Sequence, residues 1–425
     1  HAFVAAALAA GAALAVVARD KRDQFAADAP LLLVEDVLAA LVDLAKVSRA
    51  RLGARVIAVT GSVGKTSTKE MLRQVLDKQG KTHASVASFN NHWGVPLSLA
   101  RCPADAAYAV FEIGMNHAGE ITPLVKLVRP HIAIITTVEP VHLEFFGSIE
   151  AIADAKAEIF SGLEPGGTAV LNRDNDQFAR LKRQAAKAGV ARVVTFGAHK
   201  AADARLRDVA LHAACSAIHA DILDHDITYK LAMPGRHMAL NSLAVLAAAV
   251  RAGADLARAA LALSQVQAAA GRGVRKTLQL AQGVATLIDE SYNANPASMA
   301  AALNVLGRAA VGPQGRRIAV LGDMLELGPQ GPDLHRALTE AVTANGIDAV
   351  FCCGALMRNL WDALPSGRRG GYAESSTLLE SQVAAALRAG DAVMVKGSLG
   401  SKMKVIVSAL EKRFPDKAAH DDAAV

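Results

Sequence analysis

Val59-Thr60-Gly61-Ser62-Val63-Gly64-Lys65-Thr66-Ser67 is the stretch on which the fold turns. The apolar run Val56–Thr60 reads as a buried strand that leads into it, and a helix is expected from Thr66 to about Gln79. Between the two, Gly61 and Gly64 let the backbone curl so that amide hydrogens converge on one point. The helix N-terminus adds its positive dipole end, which makes the turn a phosphate cradle. Lys65 is placed to neutralise the outer phosphate oxygens, and the Thr66 hydroxyl to hold Mg²⁺. The common pattern has Gly where Val59 stands, but Gly-Lys-Thr after a buried strand keeps the mechanics. Gly61, Ser62, Val63, Gly64, Lys65, Thr66 and Ser67 are therefore the expected nucleoside triphosphate contacts.

Working outward, strands are predicted at Ala107–Ile113, Ile132–Val138 and Thr168–Leu171, each running into polar residues at its carboxyl end. Apolar strands of this kind, alternating with helices, predict an α/β fold with a parallel sheet and a site at the strand carboxyl ends. Ala204–Leu231 alternates more and reads as antiparallel strands, followed by an alanine-rich helix over Asn241–Ala252. A second α/β series begins near Gly271, with strands predicted at Thr286–Asp289, Arg317–Leu321, Ala349–Cys353 and Asp391–Val395. Before the phosphate loop, Phe3–Ala18 reads as a short helix stopped at Gly11 and a buried strand Ala12–Val17. Leu31–Val47 reads as a helix and Ser48–Gly53 as a linker. The expected units are 1–50, 51–268 and 269–425, with a frayed polar tail after Phe414. The chain opens on His1 and its first element resembles the middle of a domain, so residues are expected to precede it.

Composition narrows the function classes. The 425 residues allow two to four domains at roughly 100–200 residues each. Hydrophobic residues at 52% and charged residues at 20% permit large cores and exclude a disordered chain. Lys and Arg total 46 against 40 Asp and Glu, a net +6 spread without a basic stripe. That balance admits an anionic substrate and does not call for nucleic acid. Cys102, Cys215, Cys352 and Cys353 lack metal-ligand spacing and read as buried reduced thiols of a cytoplasmic protein. Phe3–Ala18 is mostly alanine and interrupted by Gly11, so no membrane insertion is expected.

The remaining chemistry-bearing residues sit near the strand ends. Glu112 closes a buried strand and supplies a carboxylate suited to a hard cation beside a triphosphate. His142 follows the next strand and suits a metal role, while Lys156 lies on a predicted helix. A nucleotide-dependent switch shares the phosphate loop. A dinucleotide oxidoreductase is disfavoured, because no Gly-x-Gly-x-x-Gly turn follows a strand in the second series.

Taken together, Thr-Gly-Ser-Val-Gly-Lys-Thr-Ser (60–67), Phe-Asn-Asn (89–91), Glu-Ile-Gly-Met-Asn (112–116), Ala-Lys-Ala-Glu-Ile-Phe (155–160) and Pro-Gly-Arg-His (234–237) resemble the Mur ligase family. These are ATP-dependent enzymes that add amino acids to the peptidoglycan precursor. Asp-Glu-Ser-Tyr-Asn-Ala-Asn-Pro (289–296), Leu-Gly-Asp-Met-Leu-Glu-Leu-Gly (321–328) and Val-Lys-Gly-Ser (395–398) point to the branch that adds D-alanyl-D-alanine. The rival is another ligase of the superfamily, one acting on a different amino acid or on folate.

The resemblance implies three domains: a partial UDP-substrate domain, a central ATP-binding domain with a P-loop ATPase-like parallel sheet, and a Rossmann-like C-terminal domain. It implies ATP and two Mg²⁺ ions, one at Thr66 and Glu112 and the other near His142. The lysine matching Lys156 is commonly carbamylated in the family, which turns a cation into a metal-binding anion. Arg272 would reach the phosphates, Asn241 the adenine, and Asp289 or Glu290 the ribose. Asn293 and Asn295 would line the adenine side, and Asn90 and Asn91 would contact the muramoyl-peptide. Lys396 and Ser398 would face the peptide. The implied partners are UDP-N-acetylmuramoyl-tripeptide and D-alanyl-D-alanine, on a monomer. Two departures are Met238, where the family often has Asn, and Leu399, where it often has Arg.

Overall fold

A computed structural model describes residues 1–141 and 143–416. Three sheets organise it. The first is a parallel pair, β1 (Ala15–Ala18) and β2 (Leu31–Val34). The second sheet contains β3 (Arg55–Thr60), β4 (Thr82–Ala84), β5 (Tyr108–Glu112), β6 (Ile132–Ile135) and β7 (Thr168–Asn172). It continues with β8 (Arg192–Gly197), β9 (Ala204–Leu211), β10 (Ser216–Ile222) and β11 (His225–Leu231). Its spatial order is β11-β10-β9-β8-β7-β6-β3-β5-β4; β4 to β9 are parallel to their neighbours and the β9-β10-β11 end is antiparallel.

The third sheet holds β12 (Val274–Leu280), β13 (Gly283–Glu290), β14 (Arg317–Gly322), β15 (Ala349–Cys353), β16 (Arg369–Ala373) and β17 (Ala392–Lys396). Its order is β12-β13-β17-β14-β15-β16, with only the β12/β13 hairpin antiparallel.

The second sheet is covered on both faces, so its central strands are apolar throughout. Ile57 and Val59 of β3 pack with the helices Lys65–Asp77 and Arg236–Arg251. Val56 and Ala58, pointing the other way, pack with the helices Gly94–Ala100, Ile121–Val128 and Ile149–Ala157. Strand order reverses between β3 and its flanking neighbours β5 and β6, which opens a crevice at their carboxyl ends where the phosphate loop sits.

The front of the chain differs from expectation. Leu31–Val34 is strand β2 rather than the start of a helix, because it finds a parallel partner in β1. The helix starts only at Val37, where the Asp36 carboxylate accepts from the Ala39 amide and caps it. The expected linker is partly the last turn of that helix. Ser48 is buried and donates to the Leu99 carbonyl, and Arg49 donates to the Val128 and Arg129 carbonyls and to Glu164. The front strand spans Ala15–Ala18 rather than Ala12–Val17. The helix expected from Asn241 begins at Arg236, one turn earlier, after Gly235 at φ +108°. Strands β4, β8, β12 and β16 were not anticipated.

Cys102, Cys352 and Cys353 are buried free thiols, whereas Cys215 is only half-buried. No described helix is long and apolar enough to cross a membrane. The tail expected to fray lies largely outside the described residues.

Candidate active site

The phosphate loop is built as its sequence requires. Gly61 and Gly64 adopt φ +145° and +87°. A Cβ on Gly61 would fall 1.9 Å from Thr136 Oγ1, and one on Gly64 would fall 2.6 Å from Asn241 Nδ2. Both therefore answer a backbone conformation and a close approach at once. Ser62 is tied to the loop after β6: its amide donates to the Thr137 carbonyl and its hydroxyl to the Glu139 carbonyl. Lys65 folds back over the turn and donates to the Gly61 carbonyl at 2.7 Å. Burial pulls its ammonium below the usual lysine range, with Glu112 opposing that and Arg272 adding to it.

Beside the loop lies a polar chain. Thr66 Oγ1 donates to Glu112 Oε2 at 2.8 Å, and Asn90 Nδ2 donates to Glu112 Oε1 at 2.7 Å. Ser88 Oγ is 3.2 Å from Thr66 Oγ1 and accepts from Arg272 Nη2 at 3.3 Å. The Arg272 guanidinium also stacks over Tyr292, 4.2 Å from the ring centroid. Arg272 thus bridges the interdomain segment and the phosphate-loop side of the cleft.

Two lysines behind this chain are fully buried, with opposite surroundings. Lys69 Nζ donates to the Ser85 and Ala87 carbonyls, both at 2.6 Å, and pairs with Glu70 at 2.7 Å. It thereby pins the loop that carries Ser88 and Asn90. Lys156 has no hydrogen bond or ion pair among the described residues. Burial, and then the charge of Lys65, hold its ammonium well below the usual range. His142 lies outside the described residues. Among the described residues no three His, Cys, Asp or Glu side chains form a metal-holding cluster.

The phosphate loop and the third sheet enclose a cleft of about 590 Å³. Asn241, Arg272, Glu290, Asn293, Asn295 and Lys396 line it. Asp289 does not. It points to the other face of β13, where its carboxylate accepts from Ser291 and Lys404. Burial would raise its pKa, but those partners outweigh burial and hold it below the usual range. Of the two expected ribose acceptors, only Glu290 faces the cleft.

Asn295 also caps the helix Pro296–Gly307, accepting from the Ser298 amide. Lys396 Nζ donates to the Asn293 carbonyl at 2.9 Å and to Glu290 at 3.3 Å, and it lines the same cleft as the phosphate loop. Ser398 is buried and tied to the Leu325 amide and the Ala294 carbonyl, a brace rather than a cleft-lining group. A second groove of about 870 Å³ runs along the helix Val37–Ala50 and is lined by Asn91, Asn116, Lys46, Arg49 and Lys126. Asn91 additionally caps the next helix by accepting from Trp93 and Gly94.

Four relevant residues were not singled out from sequence: Lys69, Ser88, Glu139 and Arg275. Lys69 carried a signal, since it lies three residues before Leu72 and seven before Leu76 on the buried stripe of its helix. Glu139 lines the cleft, and burial, reinforced by Asp176 and opposed by Thr137, raises its pKa.

The Mur ligase middle-domain profile matches residues 59–249, and the Mur ligase glutamate-ligase-domain profile matches residues 275–399. The UDP-N-acetylmuramoyl-tripeptide–D-alanyl-D-alanine ligase of Escherichia coli is 36% identical over 413 residues, which cover 97% of this chain and 88% of that protein. The chain belongs to the Mur ligase family. A Bacillus subtilis Mur ligase of the same name is 34% identical, over 89% of this chain and 81% of its own length. Among solved structures, MurF from Acinetobacter baumannii superposes with a TM-score of 0.81 at 28% identity, covering 97% of this chain and 88% of that one. The MurF ligase of Thermotoga maritima, solved in complex with ADP, gives 0.78 at 25% identity, covering 97% and 91%. The expected three-domain α/β architecture of a Mur ligase is thus the one found.

Proposed function

We propose that this chain is an ATP-dependent amide ligase that adds D-alanyl-D-alanine to UDP-N-acetylmuramoyl-tripeptide during peptidoglycan precursor synthesis. One observation carries the reading. A single cleft joins a phosphate loop, with its Thr66–Glu112 pair, to Glu290, Asn293, Asn295 and Lys396 from the C-terminal sheet. The relatives' names support this substrate pair, and the ADP complex of the Thermotoga protein supports ATP. In this reading residues 1–50 contribute to holding the UDP end, 51–268 hold ATP, and 269–425 close over it. ATP and a UDP-linked precursor are cytoplasmic metabolites, which makes the cytoplasm the proposed compartment.

The chemistry follows from the charges. A carboxylate does not react with an amine until its oxygen is made a leaving group. Transfer of the ATP γ-phosphoryl to the tripeptide carboxylate gives an acyl phosphate, and ADP leaves. The amine of D-alanyl-D-alanine then attacks the carbonyl. The tetrahedral intermediate collapses to the amide and releases phosphate.

The first step brings two anions together, which at about 4 Å repel by roughly 4 kcal/mol at an effective dielectric of 20. Lys65 at the phosphate loop and Arg272 from the interdomain segment supply positive charge there. The donor set also fits Mg²⁺: the Thr66 hydroxyl and the buried Glu112 carboxylate are hard oxygen ligands beside the phosphate position. When bound, the ion neutralises phosphate charge. Lys156 fits carbamylation, because a buried amine held below its usual pKa is the neutral nucleophile that CO₂ requires. Its carbamate, with His142, would hold a second Mg²⁺. The groove lined by Asn91 and Asn116 carries the muramoyl-peptide toward Asn90 and the phosphates.

The test is ADP release with ATP, Mg²⁺ and UDP-muramoyl-tripeptide, with and without D-alanyl-D-alanine. Turnover requiring both, with a pentapeptide product, is expected. ATP binding without substrate-dependent turnover would instead make the chain a nucleotide switch. Lys65→Ala should lower kcat on the order of 10²–10³ while the melting temperature holds.

A further inference from the structure

Arg275 is half-buried, and part of its guanidinium is shut away from solvent without a partner among the described residues. Its Nε and Nη2 are shielded and make no hydrogen bond, and no described carboxylate offsets its charge. Arg205, Arg251 and Arg317 also leave Nε unpaired, but only Arg275 among these lines the nucleotide cleft. An arginine does not escape burial by losing its proton, so an unpaired guanidinium calls for a partner from elsewhere.

The strand register says where that partner lies. Arg275 is directly opposite Ile288 in the β12/β13 hairpin, so the two side chains share a face. Ile288 packs into the core beneath the helix Pro296–Gly307. That helix turns its small residues Ala297, Ala301 and Ala302 to the cleft, and Val305 closes it near Gly235. This is a flat apolar slot on the third sheet, whereas the phosphate-binding turn belongs to the second.

Resting on the nucleotide-site reading above, we propose that Arg275 is a base-side contact of the bound nucleotide. It donates from its guanidinium to an acceptor of the adenine ring or ribose, or stacks on the ring. Adenine offers ring-nitrogen acceptors and a π face, which match a donor-only planar cation.

Calorimetric titration of ADP and of inorganic tripolyphosphate into wild type, Arg275→Met and Arg275→Lys tests this. Arg275→Met should weaken ADP roughly tenfold or more and leave tripolyphosphate unchanged, with Arg275→Lys between. Equal ADP affinity in wild type and Arg275→Met overturns the proposal. Equal losses for ADP and tripolyphosphate also overturn it, by moving the contact to the phosphates. Failure of wild type to bind ADP at all would sink the nucleotide-site reading itself. Should the variants not fold, a wild-type crystal with ADP decides. A guanidinium nitrogen within about 3.2 Å of a base or ribose acceptor, or stacked on the ring, supports the contact, and one turned away from both ends the idea.

Discussion

Lys69 and Lys156 are both fully buried, both on helices that flank the phosphate loop, and both lysines, yet they are held in opposite ways. Lys69 has two carbonyls and a carboxylate within 2.7 Å. Lys156 has no side-chain partner among the described residues and a second cation, Lys65, nearby. Burying a charge costs several kcal/mol unless partners repay it. Lys69 is repaid within the fold, so its presence is explained by structure. Lys156 is not, and an unrepaid buried group close to Lys65 of the phosphate loop is the better functional candidate.

The largest expected effect bears on Lys156. Replacing it with Ala should lower kcat on the order of 10²–10³, with partial recovery on adding a short carboxylate such as acetate. The recovery separates a carbamate role from an ammonium role, because an acetate ion replaces only the former. Steady-state rates with and without acetate make the measurement.

Lys69→Met comes next and should act on stability. It strands the buried Ser85 carbonyl and the part-buried Ala87 carbonyl and removes one of the two cations that depress the Glu70 pKa, at a cost of about 2–4 kcal/mol in urea unfolding. An unchanged midpoint would erase the contrast between the two lysines.

The smallest effect has the opposite sign. The folded-state pKa of Lys156 is lowered from 10.5, so between the two values the unfolded chain binds more protons. Stability must therefore rise with pH in that window. Lys156→Met removes the strain and should stabilise the protein on the order of 1 kcal/mol near neutral pH. That gain should shrink as pH approaches 10.5. Unfolding curves across that range, in CO₂-free buffer, would reveal a pH-independent difference if Lys156 were ordinary.

The phosphate loop, Glu112 and the strands after it were legible because their chemistry is local. A glycine turn, a lysine and a helix start lie within nine residues. Leu31–Val34 was not legible, because four apolar residues before a helix fit either element until β1 supplies a partner. Asp289 and Glu290 had to face opposite sides of a strand, but which side is the cleft depends on the domain packed against it. Lys69 was hidden for another reason. Its partners are main-chain carbonyls 16 and 18 residues away, and a carbonyl leaves no mark in a sequence. Arg275 shows its meaning only through the strand it opposes.

The grip of Lys69 has one more consequence, for protein engineering. It holds the loop after β4 by backbone oxygens, and the side chains of Val86 and Phe89 stay exposed. Loop geometry and loop identity are therefore separable here. A library that varies Val86 and Phe89 while keeping Lys69 would sample new surface chemistry on an unchanged backbone.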